Sequence, residues 1–123
     1  CYQLIKDSSE VQASFLRKFK KSIRIQTDYI EKNLSIGKYA GNHLVGEAAA
    51  LAMVGMYFDE WKSSRRWVKK GLAVLEEEVA KQIHPDGGGA EQATSYLRFI
   101  IEFFLQAFLL AKKNNLPIQA KTL

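Results

Sequence analysis

The sequence predicts an all-α fold built in layers, and three observations support this. Only two prolines occur in the 123 residues, and proline is the residue that most strongly breaks a helix. Apolar residues recur at spacings of three and four in long segments, which is the period of a helix face. Segments with a polar face alternate with segments that are apolar all round, and an all-apolar helix must be covered on several sides. We therefore expect antiparallel helical hairpins with inner apolar and outer amphipathic helices.

The first two helical segments differ in kind. The first, predicted over residues 9–33, carries basic residues between its apolar ones: Val11, Phe15, Phe19, Ile23 and Ile30 alternate with Arg17, Lys18, Lys20, Lys21 and Arg24. After a loop that contains two glycines, the second is predicted from Asn42 or His43 to about residue 58. Glu47 is the only charge in its sequence LVGEAAALAMVGMYF, so we expect an inner helix.

The third and fourth segments repeat this alternation. The third, over about residues 64–83, has one apolar face formed by Val68, Leu72, Leu75, Val79 and Ile83. The fourth, over about residues 94–114, is apolar except for a stripe of Arg98, Glu102 and Gln106. Its most apolar part, residues 97–111, is predicted to be a buried helix that is too short to span a bilayer. Four helices cannot fully enclose two inner ones, so the chain is expected to be incomplete.

Composition limits the classes of protein to which the chain can belong. With 47% hydrophobic and 25% charged residues, it has the balance of one soluble globular domain. The net charge of +5 fits an anionic partner, such as nucleic acid, acidic lipid or acidic polysaccharide, or a role in solubility alone. The single cysteine, Cys1, excludes an internal disulfide and a cysteine metal cluster.

Polar residues that are distant in sequence are predicted to meet at one rim. Short connections make consecutive helices antiparallel, so the second and fourth helices should begin on the same side. That side would gather Asn42, His43, Glu47, Glu91, Gln92 and Tyr96. Two helix N-termini also direct unpaired N–H groups and the positive end of the helix dipole there, which favours an anion. Three glycines within HPDGGGAEQATSY, residues 84–96, would let the backbone approach a ligand closely.

Each of these features also has a purely structural interpretation. Asn42 can cap the second helix, and His43 and Glu47 can pair across one helical turn. The hydroxyl residues before Tyr96 can cap the fourth helix, Tyr96 itself can pack on the core, and the glycines can simply turn the chain. The functional interpretation depends on the common placement of these residues at one rim.

Other kinds of site have little support in the sequence. The only histidines, His43 and His84, do not form an HExxH pattern, so neither a metal nor another cofactor is predicted. The triple glycine lies between helices and not after a strand, which excludes a dinucleotide-binding fold. The basic residues of the first and third helices are predicted to face outward without interleaved aromatic residues. We therefore predict a solvated face and no nucleic-acid partner.

Two stretches of the sequence resemble one protein family. They are YIEKNLSIGKYAGNHLVGEAAALAMVGMYF, residues 29–58, and EEEVAKQIHPDGGGAEQATSYLRFIIEFF, residues 76–104. Both are similar to the heparinase II/III-like polysaccharide lyases and the related alginate lyases. The shared motifs are an Asn-His pair before Gly-Glu, a Gln followed by an Asp-Gly turn, and Glu-Gln with a Tyr at the start of the next helix. Leu97 departs from the family, where many members have a histidine, and this bears on the substrate.

The resemblance implies a fold and an activity. Residues 1–123 would form one helical domain, the C-terminal part of an incomplete α/α toroid, with a β-sandwich domain downstream and outside this chain. The whole protein would cleave uronic-acid polysaccharides by β-elimination, whereas this piece would be inactive alone. The implied partners are an acidic polysaccharide and the β-sandwich, and the implied location is secreted, periplasmic or on a bacterial cell surface. The alternative is a non-catalytic helical module that binds anionic polysaccharide.

The resemblance also assigns roles to residues. Asn42 would hold and neutralise the substrate carboxylate, His43 would help to neutralise it or abstract a proton, and Tyr96 would act as acid, or also as base where elimination is syn. The remaining candidates would orient these groups or contact the substrate, and they are Glu47, Glu91, Gln92 and Arg98.

Overall fold

The computed structural model describes residues 2–37 and 40–119, and within these ranges the fold is all-α as predicted. The helices are α1 (Tyr2–Ile5), α2 (Ala13–Lys32), α3 (Asn42–Tyr57), α4 (Ser64–Gln82) and α5 (Thr94–Lys113). The bounds of α3, α4 and α5 agree with the sequence prediction to within one residue. Helix α2 begins later than predicted, and the short α1 was not predicted. Cys1, on which the exclusion of a disulfide and of a cysteine metal cluster rests, lies outside the described residues.

Helix α3 is the centre of the fold, which confirms its prediction as an inner helix. It contacts α2, α4 and α5, and seven of its residues are buried: Leu44, Val45, Ala48, Ala49, Leu51, Ala52 and Gly55. Helix α4 packs on it closely because a glycine lies at the contact. A Cβ on Gly71 would lie 2.5 Å from the carbonyl oxygen of Ala48 and 2.6 Å from the backbone nitrogen of Ala52. Any side chain there would push the two helices apart.

Helix α5 is buried on one face only. Its buried residues are Ile100, Phe104, Ala107, Phe108 and Ala111, and these join the core formed by α3 and α4. Its opposite face exposes large apolar side chains, among them Phe99, Leu105 and Leu109, the last 63% exposed. The prediction of a buried helix is therefore wrong for this face, because no element in the described ranges covers it.

The prediction that residues 97–111 are too short to span a bilayer does not apply to the whole of α5. Helix α5 has 20 residues, and an 18-residue window of it has a mean hydropathy of 1.4 with 28% of the window buried. By length and composition alone such a helix can cross a membrane. A core helix satisfies the same criteria, and the buried face of α5 belongs to the core.

The outer helices α2 and α4 are joined through a buried carboxylate, that of Glu31. It accepts hydrogen bonds from Arg66 Nε at 2.6 Å and Nη2 at 2.8 Å, and from Trp67 Nε1 at 3.0 Å. The hydrogen bonds from Arg66 hold the pKa of Glu31 below its usual value, against the opposing effect of burial. Glu31 therefore fixes one end of α2 against the first turns of α4.

Candidate functional site

The N-termini of α3 and α5 meet at one rim, and Glu91 makes the contact. This residue lies in the connection before α5, and its Oε1 accepts the backbone N–H of Asn42 at 2.9 Å. The side-chain nitrogen of Asn42 lies 3.0 Å from each oxygen of the same carboxylate. A carboxylate at a helix N-terminus is favoured by the unpaired N–H groups and by the helix dipole. The structural interpretation of Asn42 as a cap is therefore wrong, since Asn42 is the first residue of α3 and Glu91 satisfies its N–H.

The contact with Glu91 fixes the orientation of the Asn42 amide. A carboxylate only accepts hydrogen bonds, so the NH₂ group and not the oxygen of Asn42 must face it. The two hydrogens of an amide diverge more widely than the two oxygens of one carboxylate at this distance, so only one hydrogen points to Glu91. Among residues 2–37 and 40–119, the second N–H and the amide oxygen of this half-buried side chain have no further hydrogen-bond partner.

The glycine-rich connection before α5 turns tightly. Gly87 has a φ of +85°, a left-handed conformation that glycine adopts without strain. The N–H of Gly88 donates to Asp86 Oδ1 at 2.9 Å. A Cβ on Gly89 would lie 3.2 Å from the side chain of Leu97. The sequence predicts that these glycines let the backbone approach a ligand closely. In the structure the backbone at Gly89 instead approaches Leu97 of α5, and this contact helps to position Glu91.

Gln82, the last residue of α4, holds the two connections of the rim together. Its Nε2 donates to the carbonyl oxygen of Ala40, just before α3, at 3.1 Å, and to Glu78 Oε2 at 2.9 Å. The backbone carbonyl oxygen of Gln82 accepts a hydrogen bond from the backbone N–H of Ala90 at 3.0 Å. Because Ala90 precedes Glu91 directly, Gln82 sets the distance between the two loops that bring Asn42 and Glu91 together.

The roles of these two α4 side chains, Glu78 and Gln82, are not predicted from the sequence, where Gln82 belongs only to a shared motif. Both are buried, with 4% exposure each. Their burial could have been predicted from their spacing. Glu78 and Gln82 follow Leu75 by three and seven residues, so they lie on the same buried face of α4.

Glu47 anchors the connection before α3 and does not contact the neighbouring histidine. Its two carboxylate oxygens accept the backbone N–H and the hydroxyl of Ser35, each at 2.7 Å. The alternative in which Glu47 pairs with His43 across one turn is therefore wrong. The His43 side chain is exposed, and it forms no hydrogen bond to any residue that the structure describes.

Tyr96 lies in the first turn of α5 and is 48% exposed. The alternative in which it is packed into the core is therefore wrong. Helix α5 follows Ala93 without a side-chain cap, so Thr94 and Ser95 do not cap it either. Within the described ranges the phenol oxygen of Tyr96 has no hydrogen-bond partner, which leaves it accessible at the rim.

The last two candidates lie on either side of Tyr96. Gln92 has a φ of +54°, a conformation that is uncommon for a residue other than glycine and that costs free energy unless its surroundings hold it. Arg98 has a side chain that is 84% exposed, with its Nε 3.7 Å from Glu102 Oε1 one turn further along α5. Arg98 therefore faces solvent beside the rim.

Among the residues that the structure describes, one cavity lies at the rim and another lies away from it. A cavity of about 540 Å³ is lined by Gly37, Ala40, Gly41, Glu78, Lys81, Gln82, Ala90 and Glu91. A larger one of about 660 Å³ lies at the opposite ends of α3 and α5, where its lining includes Gly55, Arg65, Lys69, Glu76, Asn114 and Pro117. We place the site at the rim because the polar groups of separate elements converge there.

Comparison with known proteins gives a consistent result. Residues 1–120 match the sequence profile described as Heparinase II/III N-terminus. A heparin-sulfate lyase of Pedobacter heparinus is 34% identical over 115 residues, which are 94% of this chain and 17% of that protein. A heparin-sulfate lyase of Bacteroides thetaiotaomicron is 33% identical over 104 residues, which are 85% of this chain and 14% of that protein.

Solved structures agree with the sequence comparison. The crystal structure of a heparinase III superposes with a TM-score of 0.87 at 28% identity, over 98% of this chain and 18% of that one. The heparan sulfate lyase HepC from Pedobacter heparinus gives a TM-score of 0.74 at 32% identity, over 98% of this chain and 19% of that one. The chain thus spans less than a fifth of the length of each of these relatives.

Proposed function

The chain belongs to the heparinase II/III family and forms part of its α/α toroid, and on this premise we propose that the protein is a polysaccharide lyase. It cleaves uronic-acid glycans by β-elimination. The observation that carries the proposal is the contact between Asn42 and Glu91. It joins the starts of two helices and orients the Asn42 amide, one N–H of which has no partner among the residues that the structure describes.

The chemistry of elimination requires a group like this. The base removes the proton from C5, the electron pair forms the double bond between C4 and C5, and the bond from C4 to O4 breaks. The departing O4 takes up a proton. Because C5 bears an ionised carboxylate, loss of its proton would place a second negative charge on the same group. An N–H donor that binds the carboxylate stabilises that charge as it develops, and we assign this role to Asn42.

We assign the proton transfers of this reaction to Tyr96 and His43. The phenol O–H of Tyr96, exposed in the first turn of α5, fits the acid that donates a proton to O4. For syn elimination the same oxygen would also act as base. His43, exposed and adjacent to Asn42, is assigned to neutralise the substrate carboxylate or to abstract the C5 proton.

The remaining candidates are assigned to positioning and substrate contact. Glu91 orients Asn42 directly, and Glu47 acts through the loop that it anchors at Ser35. Gln92 joins Glu91 to the first turn of α5 and is assigned to the substrate side of the rim. Arg98, exposed beside Tyr96, is assigned to a further contact with a substrate carboxylate.

We propose that this chain is a later part of the toroid, inactive alone, with a β-sandwich domain downstream that completes the active site. The exposed apolar face of α5 supports this proposal, because it provides a surface that further elements would cover. The small share of the relatives' length that the chain spans supports it as well. The proposed partners are an acidic polysaccharide and the β-sandwich, and the proposed location is secreted, periplasmic or at the cell surface.

The test is kinetic, in the protein with its full chain. Tyr96→Phe keeps the ring but deletes the proton donor, so kcat should fall by roughly 10² to 10⁴ with little change in KM. Asn42→Ala should lower kcat on the order of 10² to 10³, as loss of one charge-stabilising donor does. Tyr57→Phe removes a hydroxyl from an exposed tyrosine at the other end of α3 and should change neither constant.

The assay follows the absorbance of unsaturated uronate on heparan sulfate, alginate and hyaluronan. Normal turnover of Tyr96→Phe on the substrate that the wild type cleaves would remove Tyr96 from the mechanism. Binding of these polymers by the wild-type protein without any unsaturated product would instead favour the non-catalytic module.

A further inference from the structure

Helix α2 carries a row of cations on the face opposite the core. Side chains that follow each other at spacings of three or four residues lie in one row along a helix. One such row consists of Lys18, Lys21, Ile25, Tyr29 and Lys32, and the row beside it consists of Arg17, Lys21, Arg24 and Asp28. All five basic side chains of these rows are exposed. We call these five residues, Arg17, Lys18, Lys21, Arg24 and Lys32, the basic strip.

The basic strip has no ion-pair partner among residues 2–37 and 40–119. The other cation of α2, Lys20, is bound to Glu60 at 2.7 Å, and the buried carboxylate of Glu31 is taken by Arg66. Asp28 is the only acidic side chain in the two rows. Five positive charges against one negative charge therefore remain on this face for an external anion.

The shape of the strip fits a linear polymer. From Arg17 to Lys32 the helix advances by fifteen residues, which corresponds to roughly 22 Å at 1.5 Å per residue. Two large side chains lie among the cations, Ile25 at 58% exposure and Tyr29 at 67%. An exposed tyrosine presents an apolar ring and a polar hydroxyl, and a sugar ring likewise has an apolar face and hydroxyl groups at its edge.

We propose that the basic strip is a binding surface for an anionic polysaccharide, separate from the rim. The inference rests on the proposed function, because a lyase that acts on a long anionic chain gains from a second attachment that raises the effective concentration of that chain at the site. A nucleic acid fits less well, since one exposed aromatic ring, that of Tyr29, lies between the cations of the strip, whereas bases stack on a succession of such rings. The strip would hold the polymer, and the rim would act on a different part of it.

The experiment compares two variants that lose the same charge. The strip variant carries Arg17→Gln, Lys18→Gln, Lys21→Gln and Arg24→Gln, where glutamine preserves helix propensity. The matched control carries the same substitution at four exposed cations of α4 and α5, namely Arg65, Lys69, Lys112 and Lys113. Binding of labelled heparan sulfate and of a DNA duplex of equal length is measured by fluorescence anisotropy on the protein with its full chain. Circular dichroism establishes that both variants are folded.

The strip variant should bind heparan sulfate roughly 10- to 100-fold more weakly at low ionic strength, from the summed loss of four exposed charge contacts. The control should differ from wild type by less than about threefold under the same conditions. Equal losses in the two variants would overturn the proposal, because net charge would then explain the binding. Tighter binding of the DNA duplex than of heparan sulfate would overturn it too, in favour of a nucleic acid.

Cleavage of a short oligosaccharide separates this proposal from the proposed lyase function. A substrate too short to reach from the rim to α2 should be cleaved by the strip variant at the wild-type rate. Absence of cleavage by the wild type, with polymer binding still dependent on the strip, would refute the lyase and keep the surface. Cleavage with unchanged polymer affinity in the strip variant would refute the surface and keep the lyase.

Discussion

Replacing Glu31 with alanine is expected to destabilise the fold by about 2 to 4 kcal/mol at neutral pH. Trp67 is fully buried, and its Nε1–H donates to Glu31 at 3.0 Å. Alanine leaves this buried N–H without an acceptor, which costs about 1 to 3 kcal/mol. The lost buried methylene adds roughly 0.8 kcal/mol. Arg66 adds no penalty of its own, because its side chain is 62% exposed and its released charge returns to water.

Two further variants isolate this effect. Glu31→Gln keeps the length of the side chain and an oxygen for Trp67, so it should cost only about 1 kcal/mol, the difference between a charged and a neutral hydrogen bond. Glu60→Ala removes a carboxylate from the exposed pair with Lys20 and should cost at most about 1 kcal/mol. Equilibrium unfolding in urea, followed by tryptophan fluorescence, measures all three. An alanine variant no less stable than the glutamine variant would refute the argument that the unpaired indole N–H sets the cost.

The lowered pKa of Glu31 also predicts how the stability of the fold depends on pH. The pKa of Glu31 is lowered in the folded protein, chiefly by the hydrogen bonds from Arg66, so the folded state favours the ionised form. Its contribution is therefore fully present above the unfolded pKa, about 4.3, and is lost as the pH falls through the lower folded pKa. The stabilities of wild type and Glu31→Gln should differ by a constant amount from pH 7 to about pH 5 and converge below about pH 4. A difference that persists undiminished at pH 3 would contradict the lowered pKa.

Two further predictions concern the rim. Glu91→Ala removes the acceptor that orients Asn42, and kcat of the protein with its full chain should fall by roughly ten- to a hundredfold, as a displaced reacting group does. Glu102→Ala, the same change at an exposed position of α5, should leave kcat unchanged, and an equal effect of both would disprove the positioning role. The isolated 123-residue chain should produce no unsaturated uronate from heparan sulfate, alginate or hyaluronan, and measurable product would show that the residues of this chain suffice as base and acid.

The fold could be predicted largely from sequence because helix bounds depend on local pattern. The apolar period and the flanking glycines set the limits of α3, α4 and α5, and these limits hold in the structure. The short connections also predicted that α3 and α5 begin on one side, as the contact between Asn42 and Glu91 confirms. The burial of α5 could not be obtained in this way. An apolar surface indicates that a helix can be covered, but its coverage depends on which other elements are present.

The sequence by itself determined that α3 and α5 begin on one side, which brings Asn42 and Glu91 to the same rim, and the tertiary structure decided which contacts the polar residues there make. Asn42 and Glu91 are 49 positions apart, and their contact depends on the paths of two loops that Gln82 ties together. The local interpretations of a cap at Asn42 and of a pair between His43 and Glu47 are wrong, because Glu91 binds Asn42 and Ser35 binds Glu47. A hydrogen bond requires its two atoms within about 3 Å, and between distant residues only the folded backbone brings them that close.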